Sequence, residues 1–284
     1  MVEIKNMSFG YKKKKLFSGL ELTLEPGNIY GLLGKNGAGK TTLLKIISGL
    51  RLAQEGSCRV LGHDPARRPA PLLEELCFIA EELYVPALMP AAFESLHAPL
   101  YPRFDHEAFH AFLSEFELTT DKKLSELSYG QKKKFLIAFG LASRCRLLLM
   151  DEPTNGLDIP SKSQFRRLLA RAGGTDQSIL VSTHQVRDME NLIDPIIILD
   201  EGRIIFNQPL RVVGTRLRTV IESAEPADEG AVYVEKTPGG YAVLRKNDGG
   251  EDTHIDLEML FNAVTTGGRA RALFELAPAA KTGA

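Results

Sequence analysis

Taken as apolar and polar positions alone, the chain opens with short alternating runs. In Val2-Glu3-Ile4 and Leu20-Glu21-Leu22-Thr23-Leu24 every second residue is apolar, and the turn Pro26-Gly27 follows, which predicts antiparallel strands across roughly residues 1–30. The alternation then gives way to a continuous apolar run from Asn28 to Leu33. A glycine-rich turn follows it, and after that Leu43, Leu44, Ile46, Ile47 and Leu50 recur at helical spacing within Lys40–Leu50. From about 82 to 126 helical patterns are broken by Pro86, Pro90, Pro99 and Pro102 with no strand among them, so a helical insertion is expected there, forming a subdomain over about 82–130. The alternation of strands and helices resumes at Gln131. An apolar helix runs through Ala142, a strand lies at Leu147–Met150, a helix near Pro160 to Ala172, and strands at Ile179–Val181 and Ile196–Leu199. Such alternation predicts an α/β fold with a mostly parallel sheet and ligands at the carboxyl ends of its strands.

After Glu201-Gly202, which reads as a hairpin turn, the pattern changes. Ala231-Val232-Tyr233-Val234 and Tyr241-Ala242-Val243-Leu244 flank the turn Pro238-Gly239-Gly240, Asp248-Gly249-Gly250 marks another turn, and Leu257 to Val264 is an apolar helix. Residues 212–284 are therefore expected to form a small α+β appendage, with APAAKTGA at the end as a disordered tail.

Composition narrows the function classes. Hydrophobic residues make up 44% and charged residues 25% of the 284, as in ordinary globular domains. The net charge of -1 gives no basic field of the kind nucleic acid attracts, so no nucleic-acid partner is expected. Cys58, Cys77 and Cys145 are widely spaced and read as reduced core thiols of a cytoplasmic protein. The start MVEIKNMSFG lacks the build of a signal peptide, and no apolar run reaches the roughly 20 residues of a membrane span. Work at a membrane would require another chain to cross it.

The glycine-rich turn carries the sharpest chemistry. Gly34-Lys35-Asn36-Gly37-Ala38-Gly39-Lys40-Thr41 fits G-x-x-x-x-G-K-[ST] between a strand and a helix, the context in which such a loop cradles phosphates. Glycines let successive N–H groups of Gly34, Asn36, Gly37, Ala38 and Gly39 turn inward, and the helix opening at Lys40, Thr41 and Thr42 adds its positive end. Lys40 reaches the β and γ phosphates and the Thr41 hydroxyl binds Mg²⁺, so the loop is built for a nucleoside triphosphate.

A second constellation follows the strand at Leu147–Met150. Asp151 there is placed to bind Mg²⁺, and Glu152 to act as general base on the attacking water, the two acids being separated by strand alternation. His184 ends the next strand, Ile179-Leu180-Val181-Ser182-Thr183, where it can bond the γ-phosphate and hold the water in line.

The phosphate loop is common to many nucleotide hydrolases and kinases, whereas Leu127-Ser128-Tyr129-Gly130-Gln131 is not. Followed by Pro153-Thr154-Asn155-Gly156-Leu157-Asp158 and then His184, it resembles the signature motif of the ATP-binding cassette (ABC) ATPases, over about residues 1–208. The resemblance implies a P-loop NTPase core with an antiparallel β subdomain and a helical insertion, binding ATP and Mg²⁺. It implies that Ser128, Gly130 and Gln131 contact the ATP of an opposite subunit, that Asn155 to Asp158 form a loop crossing the seam, and that Tyr11 stacks on adenine. Two positions depart from the family pattern. Tyr129 stands where the family has glycine, and Ala80-Glu81-Glu82 stands where it has a metal-touching glutamine, which makes Glu81 the candidate metal ligand. The lysine runs 12–15 and 132–134 read as solvated faces.

The resulting expectation is an ATPase subunit of an ABC transporter, a homodimer sandwiching two ATP. A separate transmembrane permease would hold it on the inner face of the cell membrane and dock on the proline-rich region around 82–126. Two other readings are a soluble ABC ATPase acting on ribosomes or DNA, and a nucleotide-switched regulatory module. The first usually needs two cassettes or a coiled-coil insertion, and the second has no use for Glu152 and His184.

Overall fold

The computed structural model describes residues 1–12, 14–172, 176–226 and 230–274. The alternating N-terminal runs form β1 (Val2–Tyr11) and β2 (Lys14–Leu24), paired antiparallel. The apolar run becomes β3 (Ile29–Leu33), and the phosphate loop leads into α1 (Lys40–Ile47). Next come β4 (Glu55–Val60), α2 (Ala70–Leu73) and β5 (Leu76–Ile79). β4 pairs with β1 to complete a three-stranded antiparallel sheet, β2-β1-β4. The insertion holds α3 (Pro90–His97) and α4 (His106–Glu115) and passes into α5 (Tyr129–Ala142). Phe93, Phe109, Phe135 and Phe139 pack edge to face at 5.2–5.8 Å, so a cluster of rings joins the insertion to α5.

β6 (Leu147–Asp151), α6 (Ile159–Ala172), β7 (Ser178–Thr183), β8 (Ile196–Asp200) and β9 (Arg203–Gln208) complete a six-stranded sheet in the order β5-β6-β7-β3-β8-β9. β5, β6, β7 and β3 run parallel, and every residue of β6 and β7 is buried, as the near-continuous apolar runs require. The four strands therefore end on one edge, where Glu81, Asp151 with Glu152, His184 and the phosphate loop follow β5, β6, β7 and β3 respectively.

The chain divides into two compact units, residues 1–195 with 199–204, and residues 196–198 with 205–284. The second carries α7 (Leu210–Arg216), β10 (Leu217–Glu222), β11 (Ala231–Thr237), β12 (Gly240–Lys246), α8 (Leu257–Thr266) and α9 (Gly268–Ala272). Its antiparallel sheet has the order β10-β12-β11. Val213, Leu217, Val243, Leu244, Leu260 and Val264 are fully buried. Asp256 caps α8 by accepting from the amides of Glu258 and Met259 at 2.8 and 2.9 Å. The tail read as disordered, 277–284, lies outside the described residues.

Candidate nucleotide site

The phosphate loop reaches α1 through Gly39, whose backbone is left-handed at φ 112°. A Cβ there would also meet the Phe17 ring at 2.7 Å, so only glycine allows the loop to close. No acidic residue occupies the first turn of α1, which leaves its positive end facing the loop. Lys40 is buried and folds back over the loop, its Nζ donating to Gly34 O at 2.8 Å and lying 3.2 Å from Glu152 Oε1.

Parallel register sets the acids. Asp151 lies opposite Ser182 on β7, and the Ser182 hydroxyl donates to Asp151 Oδ1 at 2.5 Å. The other oxygen, Oδ2, is buried with no hydrogen-bond partner among the described residues. Burial pushes the Asp151 carboxyl above the usual carboxylate range, against the pull of the Ser182 and Thr41 hydroxyls. An orphaned anionic oxygen beside the Thr41 hydroxyl fits a hard divalent cation such as Mg²⁺.

Glu152 does not continue the strand. Its φ of 45° is left-handed, an uncommon conformation outside glycine, and this turn rather than strand alternation separates the two acids. Its carboxylate takes the Lys40 pair and a 2.9 Å contact from His184 Nδ1 on Oε1, and Oε2 accepts from the His184 amide at 3.3 Å. Lys40, Glu152 and His184 thus form one connected group, with Glu152 at 4% exposure and its partner histidine open to the cavity.

That cavity, of about 640 Å³, is walled by Tyr11, Asn36, Gly37, Gly39, Lys40, Thr41, Thr42, Glu81, Glu152 and His184. Gly34 and Ala38 are buried within the loop behind it, and Asp151 lies beneath. Tyr11 stands half-exposed at the rim, held edge-on by Phe9 and by a 3.1 Å bond from its hydroxyl to Thr42, which leaves a ring face for a base. Glu81 joins the wall with its Oε1 accepting from Asn155 Nδ2 at 2.9 Å. The Tyr129 hydroxyl donates to the Glu81 carbonyl at 2.8 Å, so the two departures from the family pattern touch each other. The Tyr129 ring also lies where a Cβ on Gly156 would be, at 2.7 Å.

Ser128, Gly130 and Gln131 are not brought to this cavity. They sit at the start of α5, where Ser128 Oγ accepts from the Gln131 amide at 3.2 Å and Gln131 Oε1 from the Ser128 amide at 3.0 Å. Sequence reasoning missed Ser182, Lys14 and Leu16 in and around the site. A serine inside an otherwise apolar buried strand was the signal for the first, and the other two carry none. It also mistook Lys133. The run 132–134 is not one solvated face, because Lys133 is fully buried with its Nζ donating to Glu152 O at 2.8 Å.

Comparison with known proteins gives the family. The family model described as ABC transporter matches residues 17–155. The lantibiotic transport ATP-binding protein SrtF of Streptococcus pyogenes is 30% identical over 73% of this chain and 90% of its own length. This chain belongs to the ATP-binding proteins of the ABC transporter family. The ABC transporter ATP-binding protein YtrB of Bacillus subtilis (strain 168) is 28% identical over 72% of this chain and 70% of its own. A solved ATP-binding subunit of an ABC transporter superposes with a TM-score of 0.68 at 25% identity, covering 75% of this chain and 91% of that one. A dimeric ATP-binding cassette in a post-hydrolysis state, bound to ADP and phosphate, gives 0.65 at 22%, covering 74% and 99%, and shows the shared cassette fold. As an ABC ATPase, the chain binds ATP and hydrolyses it.

Proposed function

We propose that this chain is one of two ATP-hydrolysing subunits of a membrane transporter, working head to tail around two ATP molecules and moving a separate transmembrane chain. The observation that carries the reading is the split in the site. Lys40, Thr41, Asp151, Glu152 and His184 converge, while Ser128, Gly130 and Gln131 end apart from them at the solvent-facing start of α5. A second copy turned head to tail supplies what the first lacks, and the dimeric cassette of the same fold supports this arrangement.

No helix among the described residues is long and apolar enough to cross a membrane, so coupling to one runs through a permease. An apolar groove of about 470 Å³ supports such a partner, lined by Leu50, Leu73, Phe78, Leu100 and Tyr101, with Leu50 and Leu100 more than half exposed. The relatives, a transporter ATP-binding protein and a transport ATP-binding protein by name, support the same reading, under which the chain works at the inner face of the membrane.

In the mechanism we assign, adenine lies on Tyr11 and the triphosphate enters the loop. It outcompetes a single carboxylate for Lys40, which leaves Oε1 of Glu152 with His184 alone. Glu152 then takes the proton of the water attacking the γ-phosphorus, with His184 holding the carboxylate from one side and the γ-phosphate from the other. Thr41 and Asp151, with Glu81 on the same wall, would hold Mg²⁺, which when bound neutralises charge on the phosphate oxygens.

Glu152→Gln is expected to lower ATP turnover by roughly a hundredfold or more, the usual range for a lost general base, while ATP binding persists. Purified with ATP from detergent-solubilised cells, this variant should carry a polytopic membrane protein in stoichiometric amount. Ribosomal or DNA-processing proteins in its place would contradict the transporter reading.

A further inference from the structure

Lys133 is the group near the site that the mechanism leaves unused. It is fully buried, a costly place for an ammonium, and it does not wall the cavity, so it cannot reach a phosphate. Its Nζ donates to the Glu152 carbonyl at 2.8 Å and lies 5.3 Å from the centre of the Tyr129 ring, and it feels the charges of Glu81, Asp151 and Glu152. Glu152 is the residue whose backbone is left-handed, a conformation that persists only where the surroundings over-determine it. Its amide is held by Ser182, donating to O at 3.1 Å and Oγ at 3.3 Å, and its carboxylate by Lys40 and His184. The carbonyl accepts from the Asn155 amide at 3.2 Å and from Lys133 at 2.8 Å, and of the two only Lys133 brings a charge.

We propose that Lys133 is a positioning residue for ATP hydrolysis: from beneath the site it pins the turn that aims Glu152 and sets a positive charge under the surrounding carboxylates. The proposal rests on Glu152 as the general base. Once ATP takes Lys40 away, Lys133 is the cation still bonded to Glu152, and it keeps the turn in place through the catalytic step.

The test compares Lys133→Met, which keeps the buried stem without charge or donor, with Lys133→Arg and with Glu152→Gln. Lys133→Met is expected to lower kcat by roughly a hundredfold, comparable to loss of a general base, with KM and the affinity for a non-hydrolysable ATP analogue within about threefold of wild type. Its Tm should change little, because the lost bond to the Glu152 carbonyl, which keeps the Asn155 amide, is offset by no longer burying an ammonium. Lys133→Arg should regain much of the lost kcat. On the Glu152→Gln background, Lys133→Met should lower residual turnover by less than about threefold, since residues that act through one another are not additive.

Near-normal kcat in Lys133→Met beside a dead Glu152→Gln would overturn the proposal and leave the base assignment standing. A fully additive loss in the double variant would overturn it too, as would affinity and Tm falling together with kcat. An active Glu152→Gln would instead remove the base assignment itself. Should Lys133→Met fail to fold, Lys133→Gln carries the same comparison.

Discussion

The phosphate-loop end of the site and the signature end are built in opposite ways. At the first, Lys40 answers Glu152 and Glu152 answers His184 inside the same protomer, with only an oxygen of Asp151 left for a cation. At the second, Ser128 and Gln131 spend their side chains capping α5 and present the start of that helix to the outside. The sheet edge concentrates charge, and concentrated charge out of water must be paired locally. The helix cap makes a rigid platform that, on the proposed arrangement, serves another molecule. One end can be recognised as chemistry within a single chain, and the other would acquire its chemistry only through assembly.

The largest break in this comparison comes from Lys40→Ala. It removes the cation paired with Glu152 and assigned by the proposed mechanism to the phosphates, and is expected to weaken ATP binding by roughly a hundredfold, the worth of a strong charge-assisted bond, as read by nucleotide titration. Tyr11→Ala acts at the rim alone and should cost about tenfold in ATP affinity, in the range of one lost base stack, with a smaller effect on binding of free triphosphate.

Asp151→Asn sharpens the comparison with a change of sign. A carboxyl held above its unfolded value contributes stability at acid pH that is lost as pH rises through its folded value, so at neutral pH the ionised Asp151 costs stability. The variant is therefore expected to melt roughly 2–4 °C higher than wild type at neutral pH in chelator, with that advantage shrinking toward acid pH, while Mg²⁺-dependent turnover is lost. Thermal denaturation across pH checks it, and an unchanged or lower Tm would count against the buried orphan oxygen as a cation site.

Legibility in the sequence followed the range of the interactions. The phosphate loop is contiguous, so Gly39, Lys40 and Thr41 can be picked out by spacing alone. The apolar runs at β3, β6 and β7 likewise declare buried parallel strands. β4, with the sequence EGSCRV and mostly exposed side chains, offers no alternation, and only its pairing to β1 makes it a strand. The helix α7, LRVVGTR, combines β-branched residues with an internal glycine and argues against its own conformation. Ser182 and Lys133 reach the acids across 31 and 19 residues, through strand register and helix packing that no local pattern encodes. Lys133 was further hidden by Lys132 and Lys134, which made a buried cation look like part of a solvated run.

The most direct test of the split site mixes two inactive variants, Lys40→Ala and Ser128→Arg. In a head-to-tail pair of one of each, the intact loop of the Ser128→Arg chain faces the intact signature of the Lys40→Ala chain, so one complete site forms. ATPase activity that is absent in either variant alone and returns on mixing is the predicted result. A mixture as inactive as its components, with both variants folded and able to associate, would contradict the account.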